Sequence, residues 1–236
     1  MINKYEYICR ENFKGAVKPE LQKKCIEILC LGVLRACFYP NFESFVHSDS
    51  PDLFDERNKI GIEVCEAIRE EDAKVLSEYS KLCYGNKVQE TKSLQIFNDN
   101  GYSYSDGILT GSARSENIFL EAFKKITSKK LSLINKYLTK EIKQIGLAIY
   151  CKSSITMDYS RDIVDIYKEL IRNRKGYDFI YFIFSHVIYY YEVVYDKLNI
   201  IEIDIEDFNY IQLLSRSIVE GKRKFTDEEW LNLTKR

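Results

Sequence analysis

Residues 50–68 read SPDLFDERNKIGIEVCEAI, and this stretch decides the fold. Ser50-Pro51-Asp52 opens a short extended run over residues 52–55. Glu56-Arg57-Asn58-Lys59 is a polar reversal, because Asn and Asp accept turn geometry. The run that follows, from Ile60 to Cys65, is rich in β-branched residues and predicts a strand. At period two, Ile60, Ile62 and Val64 share one face, while Gly61, Glu63 and Cys65 share the other. The two runs predict a hairpin that brings Asp52 close to Glu63, with Glu63 directed away from an apolar layer. Two carboxylates held together at a sheet edge repel unless a cation neutralises them. An oxygen-rich site of this kind suits Mg2+ or Mn2+.

Working toward the amino terminus, Pro19 starts a helix over residues 19–38, PELQKKCIEILCLGVLRACF. Leu21, Cys25, Ile28, Leu29 and Gly32 share its inner face at a period of 3.6. Pro40 and Asn41 end it, and Phe42, Phe45 and Val46 predict a short apolar edge strand leading into the hairpin. His47 is read as a structural residue rather than a catalytic one.

The Pro51-Asp52 pair, the hairpin-length gap and the tripeptide Glu63-Val64-Cys65 resemble the PD-(D/E)XK, or restriction-endonuclease-like, nuclease superfamily. The resemblance implies an αβββαβ sandwich core. It implies that Asp52 and Glu63, with the main-chain carbonyl of Val64, bind a divalent metal. It also implies that Cys65 stands where the family carries a Lys that helps to activate the attacking water. A thiol does not supply the fixed positive charge of an ammonium. In that superfamily a helix ahead of the core often adds an acid to the metal site. Glu27 is the candidate, with Glu20 in reserve and Glu43 a further choice. The activity implied is Mg2+-dependent (or Mn2+-dependent) hydrolysis of phosphodiesters in DNA or RNA. The missing Lys leaves a second reading: a protein that keeps the fold, no longer cuts, and binds nucleic acid or a protein partner.

On the other side of the hairpin, a charged helix begins near Arg69, with Glu70, Glu71 and Asp72 where the helix dipole favours acids. Glu66 is read as a cap for that helix. Residues 86–113 predict an irregular insertion with a short hairpin, marked by Asn100-Gly101 and Asp106-Gly107. Its Tyr102 and Tyr104 offer rings to bases or to partial burial. A long helix follows over residues 115–142, with Ile118, Phe119, Ala122, Ile126, Leu133 and Tyr137 inward. Lys124, Lys125, Lys129 and Lys130 are assigned to its outer surface, where they would meet nucleic-acid phosphates. The same helix offers an ammonium to fill the vacancy at Cys65, since its position in space is what water activation needs; the sequence does not choose which. Residues 145–151 form a near-continuous apolar run, the mark of a strand buried on both faces. Beyond it, a helix over 158–174, three strands within 179–205, and helices over 207–219 and 227–234 extend the sheet.

The expected fold is therefore α/β (an α+β sandwich), a mixed central sheet flanked by helices, in one domain over residues 1–236. Residues 19–152 form the nuclease-like core and 153–236 its extension. The 236 residues are 45% hydrophobic, enough for a substantial core. The net charge of −1 lacks the basic excess typical of nucleic-acid binders. Its distribution is uneven: residues 41–75 carry ten acidic and four basic side chains, and residues 114–175 seven and fourteen. Seven Cys without a Cys-x-x-Cys pair, and two distant His, argue against a zinc cluster. No apolar segment has the length of a signal peptide core or a membrane span. A cytoplasmic protein with no membrane partner is expected.

Overall fold

The structure, a computed structural model, describes residues 15–84, 90–111, 116–138, 141–151 and 160–234. A single 3-10 turn, Pro19–Leu21, leads into α1 (Gln22–Phe38), and the chain reverses at Pro40. Three strands follow: β1 (Val46–His47), β2 (Leu53–Asp55) and β3 (Ile60–Ala67). The predicted hairpin is the β2–β3 pair, antiparallel, with Leu53 opposite Ile62 and Asp55 opposite Ile60. Its turn is organised by Asp55, which is fully buried. The Asp55 carboxylate accepts the main-chain N–H groups of Arg57 (3.0 Å) and Asn58 (3.1 Å), and the Asn58 side-chain amide (2.6 Å). Burial pushes this carboxyl up, but the hydrogen bonds from Asn58 outweigh it and hold it below the usual range.

After β3 come α2 (Glu70–Tyr84), α3 (Glu90–Asp99) and a small separate hairpin, β4 (Tyr102–Ser105) with β5 (Ile108–Gly111). The core resumes with α4 (Glu116–Leu131), the short α5 (Asn135–Leu138) and β6 (Gln144–Cys151). It continues through α6 (Ser160–Ile171), β7 (Phe179–Phe184), β8 (Val187–Glu192), β9 (Lys197–Glu202), α7 (Ile205–Val219) and α8 (Glu228–Leu231). The main sheet has seven strands in the order β1-β2-β3-β6-β7-β8-β9. The β3–β6 and β6–β7 pairs are parallel, and the remaining pairs are antiparallel. The expected αβββαβ order is present, in a mixed sheet with helices on both faces.

The alternation along β3 explains the layers. Ile62 and Val64 pack with Ile28, Leu31 and Leu34 of α1, Ile211 and Leu214 of α7, and Trp230 of α8. Cys65 and Ala67 face the opposite layer, with Phe123 and Leu131 of α4, Tyr137 of α5 and Tyr167 of α6. β6, buried from Ile145 to Cys151, feeds both layers, as a central parallel strand must. Two glycines mark close approaches. A Cβ at Gly32 would stand 2.7 Å from Ile211 Cγ2, and one at Gly61 would stand 2.5 Å from Pro51 Cγ and 3.0 Å from Ile145 Cδ1. Gly61 thus lets Pro51 lie against the start of β3 and sets the position of Asp52, the next residue.

Several expectations are corrected. The long helix over 115–142 is two helices, broken by turns at residues 132–134. Its fully buried stripe is Phe123, Thr127, Leu131, Ile134 and Tyr137. Of the expected inward set Tyr137 is buried, Ile126 packs half-buried against the core, Ala122 and Leu133 are only half-buried, and the Ile118 and Phe119 side chains lie outside the described residues. The insertion contains α3, held by buried Ser93 and Phe97, ahead of its hairpin. Asn100-Gly101 closes that helix, with Gly101 at φ +71°, while Asp106-Gly107 makes the hairpin turn at φ +51° and +81°. Tyr104 packs edge-on to Tyr79 and against Phe97, and the Tyr102 hydroxyl donates to Asp72 at 2.9 Å, so both rings serve this subdomain's own packing. Glu66 lies within β3, paired with Tyr150 on β6, rather than capping α2. Among the described residues no helix is long and apolar enough to cross a membrane.

Candidate active site

Asp52, Glu63 and Glu27 meet at the end of the β2–β3 hairpin, where helices from both layers reach the sheet. All three are buried, at 3%, 4% and 5% exposure. Continuing the β2–β3 register by one residue sets Asp52 opposite Glu63. Asp52 Oδ2 accepts the main-chain N–H of Val64 at 2.8 Å, which ties the acid to the strand that carries Glu63. Glu27 comes from the middle of α1, one turn after Lys23.

The charge on these acids is answered from three directions. Lys130, in the last turn of α4, places Nζ 2.6 Å from Glu63 Oε2 and 3.8 Å from Asp52 Oδ2. Lys23, in the first turn of α1, places Nζ 3.2 Å from Asp52 Oδ1 and 2.9 Å from Glu27 Oε1. His47 on β1 sets Nε2 2.6 Å from Glu27 Oε2. The Tyr137 hydroxyl donates to Glu63 Oε1. Lys130 is itself held: the Tyr177 hydroxyl donates to its carbonyl at 3.0 Å, and Tyr177 N–H donates to the Tyr167 hydroxyl at 2.6 Å.

These contacts move the titrating groups in physically ordered ways. Burial is the largest influence on Asp52 and raises its carboxyl; the Val64 N–H opposes this and the Glu63 charge adds to it. Glu27 ends below the usual range: burial raises it, but the hydrogen bond with His47 and the adjacent Lys23 ammonium outweigh burial. Burial works against the charged form of Lys130, yet attraction to Glu63 prevails and its ammonium is held above the ordinary lysine value. Cys65, on the Glu63 face of β3, is buried; desolvation pushes its thiol up to about 12 although Lys130 pulls the other way. A neutral thiol at that position supplies neither a positive charge nor a thiolate ligand.

The sequence-predicted residues therefore separate into two groups. Asp52, Glu63 and Glu27 come together, and the main chain of Val64 lies among them through its N–H. Glu20 and Glu43 are exposed outside the cluster; the Glu43 carbonyl is taken by Arg35 Nη2 at 2.6 Å. Glu66 alternates to the face opposite Glu63. Of the four lysines assigned to phosphate contacts, Lys124 pairs with Glu169 (3.4 Å), Lys125 pairs with Glu70 (2.6 Å) and Lys129 is exposed. Lys130 does not belong to that surface. It continues the buried Phe123–Thr127 face and brings its ammonium to Glu63 and Asp52. Lys23 and the hydroxyl contact of Tyr137 have no counterpart in the sequence reading, whereas His47 faces the site as a structural partner of Glu27. The Lys23–Glu27 spacing of four residues was the one local signal for the first of them.

Among the described residues, no group of three or more His, Cys, Asp or Glu stands ready to enclose a metal ion. Carboxylate oxygens are the donor type a hard cation takes. Glu27 Oε1 is buried and lacks a hydrogen bond of good geometry, with the Lys23 ammonium 2.9 Å away as its ion-pair partner. No protein-family model, curated protein or solved structure matches this chain.

Proposed function

We propose that this protein is a metal-dependent nuclease of the PD-(D/E)XK type in which Lys130, from a helix, replaces the lysine that the strand motif lacks. The observation carrying the reading is the position of one ammonium, 2.6 Å from Glu63 and 3.8 Å from Asp52. Asp52, Glu63 and the Val64 carbonyl, with Glu27 alongside, would hold Mg2+ or Mn2+. Such an ion makes bound water more acidic and offsets charge developing on a phosphate. The residues supply the rest. Lys130, as an ammonium, would donate a hydrogen bond to the oxygen of the attacking water and stabilise the negative charge that develops there as the water's proton passes to solvent. Tyr137 fixes the rotamer of Glu63, and the Val64 N–H fixes that of Asp52. The substrate is a nucleic-acid phosphodiester, DNA or RNA, met in a reducing cytoplasm; no disulfide joins any of the described cysteines.

Calorimetric titration with Mn2+, together with cleavage assays on plasmid, single-stranded DNA and RNA, tests the proposal. Wild type is expected to bind the ion and cut. Asp52→Ala and Glu63→Ala are expected to lose both. Lys130→Met is expected to keep ion uptake and lose cleavage by on the order of 10²-fold or more. A folded Lys130→Met that cuts as well as wild type would overturn the assignment. The second reading, a non-cutting relative that binds nucleic acid or a protein, is favoured by the completeness of the acids' pairing with Lys23, Lys130, His47 and Tyr137. It predicts no ion uptake and no cleavage on any of these substrates.

A further inference from the structure

We propose that Lys23 is the displaceable counter-cation of this acid cluster: its ammonium holds Asp52 and Glu27 while no divalent cation is bound, and turns outward to a substrate phosphate when one is. This rests on the nuclease reading and assigns that site a second, mobile positive charge.

The two ammonium groups at the cluster are built differently. The Lys130 side chain is 14% exposed, and its main chain is clamped by Tyr177. The Lys23 side chain is 76% exposed, although the two carboxylates it touches are almost wholly buried. Lys23 therefore leaves the acids by rotating its four-carbon stem into water, without opening the core; Lys130 has no such route. Its contacts, 3.2 Å to Asp52 and 2.9 Å to Glu27, are both longer than the 2.6 Å contact that ties Lys130 to Glu63. Position adds a further reason. Lys23 lies in the first turn of α1, which carries no acidic residue, so its charge opposes the helix dipole. Its pairing with Glu27 one turn on offsets part of that cost, and Asp52 across the hairpin adds to that offset. Once those acids are neutralised by a cation, the same dipole and the loss of both partners favour a phosphate beside the freed ammonium.

The test is calorimetry with Mn2+ on wild type and Lys23→Met, with Ca2+-supported binding of a single-stranded oligonucleotide measured on both over a range of salt. Removing a competing unit charge is expected to tighten Mn2+ binding about thirtyfold, the Boltzmann equivalent of a single and a double charge about 4 Å apart in water. Oligonucleotide binding is expected to weaken, with the log–log salt slope reduced by about one, as for the loss of one phosphate contact. Lys23→Arg should restore the salt slope. Trp230 fluorescence and urea unfolding establish that each variant is folded. Mn2+ bound equally by wild type and Lys23→Met, or more weakly by the variant, overturns the role of Lys23 and leaves the nuclease reading standing. Mn2+ taken up by neither protein overturns the nuclease reading, and the Lys23 proposal with it.

Discussion

Removing the Lys130 ammonium is the most informative single perturbation. Lys130→Met keeps the length of the stem and its packing beside Tyr137 and Cys65 but deletes the charge between two buried carboxylates. Breaking a buried pair by removing one partner costs about 3–5 kcal/mol, because the survivor is left as an uncompensated charge. Here the survivors keep other partners. Glu63 retains the Tyr137 hydroxyl, and Asp52 retains the Val64 N–H and Lys23. Hydrogen bonds to charged groups are worth about 1.5–3 kcal/mol each, which places the expected loss near the lower limit, about 3 kcal/mol. For a chain of this size that lowers Tm by about 6–12 °C.

Urea unfolding followed by Trp230, the chain's one tryptophan and a buried one, reads the loss directly. The pH dependence has a definite sign. Asp52 already titrates above its ordinary range in the folded protein. A carboxyl raised on folding contributes stability that is fully present below its unfolded pKa and is lost as pH rises through its folded pKa. Without Lys130 that rise is larger, so the deficit of Lys130→Met should shrink as pH falls from 7 toward 4. Adding Glu63→Gln should recover more than half of the loss, since the uncompensated charge is then gone. A Lys130→Met protein within about 0.5 kcal/mol of wild type, the level of an ordinary surface substitution, would refute the placement of this ammonium. So would a second substitution that simply adds its own cost.

Gly61→Ala drives a methyl into Pro51 and Ile145, and is expected to cost about 1–3 kcal/mol by overpacking, measured as a shift in urea midpoint at unchanged m. Asp55→Ala strips three hydrogen bonds from the hairpin turn; its carboxyl is lowered on folding, so its contribution is present above its unfolded pKa and lost as pH falls through its folded pKa. The variant should be less stable at pH 7 and have a flatter acid limb in pH-dependent unfolding. With its thiol raised to about 12, Cys65 should resist alkylation at pH 8 in the folded protein and react in urea, which mass mapping of labelled peptides resolves. Cys65→Lys combined with Lys130→Met returns the ammonium to the strand and should recover stability lost in Lys130→Met, whereas Cys65→Lys alone crowds two charges into one gap and should destabilise.

The hairpin and its acids were legible because each rests on a local rule. β-Branched alternation set the faces of β3, Asp and Asn set the turn, and the continuous apolar run set β6 in the middle of the sheet. The partners of the acids were not legible because they depend on tertiary placement. Along 116–134 apolar residues occupy most of the helix circumference, so local periodicity allows two phases for the buried stripe. The break at residues 132–134 then shifts the phase again for Tyr137. The choice of Phe123 and Thr127 over Ala122 and Ile126 turns Lys130 from a surface residue into an inward one. Likewise Lys23 and Glu27, four apart, read as an ordinary exposed helix pair until the hairpin brings Asp52 beside them. In α3 only Ser93 and Phe97 are fully buried, too sparse a pattern to announce a helix.

The cysteine at 65 and the lysine at 130 are two parts of one electrostatic solution. Asp52 and Glu63 are fixed by the sheet: one takes a main-chain N–H of β3 and the other projects from that strand, so neither can retreat from its neighbour. Two such buried charges require positive charge within a few ångströms, whatever the protein does. A lysine at 65 would supply it from the same strand. With a thiol there, the nearest element on that face is α4, and the turn carrying Lys130 reaches Glu63 with a lysine stem lying along apolar surface. The clamp from Tyr177 to the Lys130 carbonyl then acquires a purpose, since a helix end that delivers the compensating charge has to be held in place. The acids demand a cation at this point in space, while the sequence position that delivers it is free to vary, so the charge partner of a strand acid is found on the opposing helix and not in the strand itself.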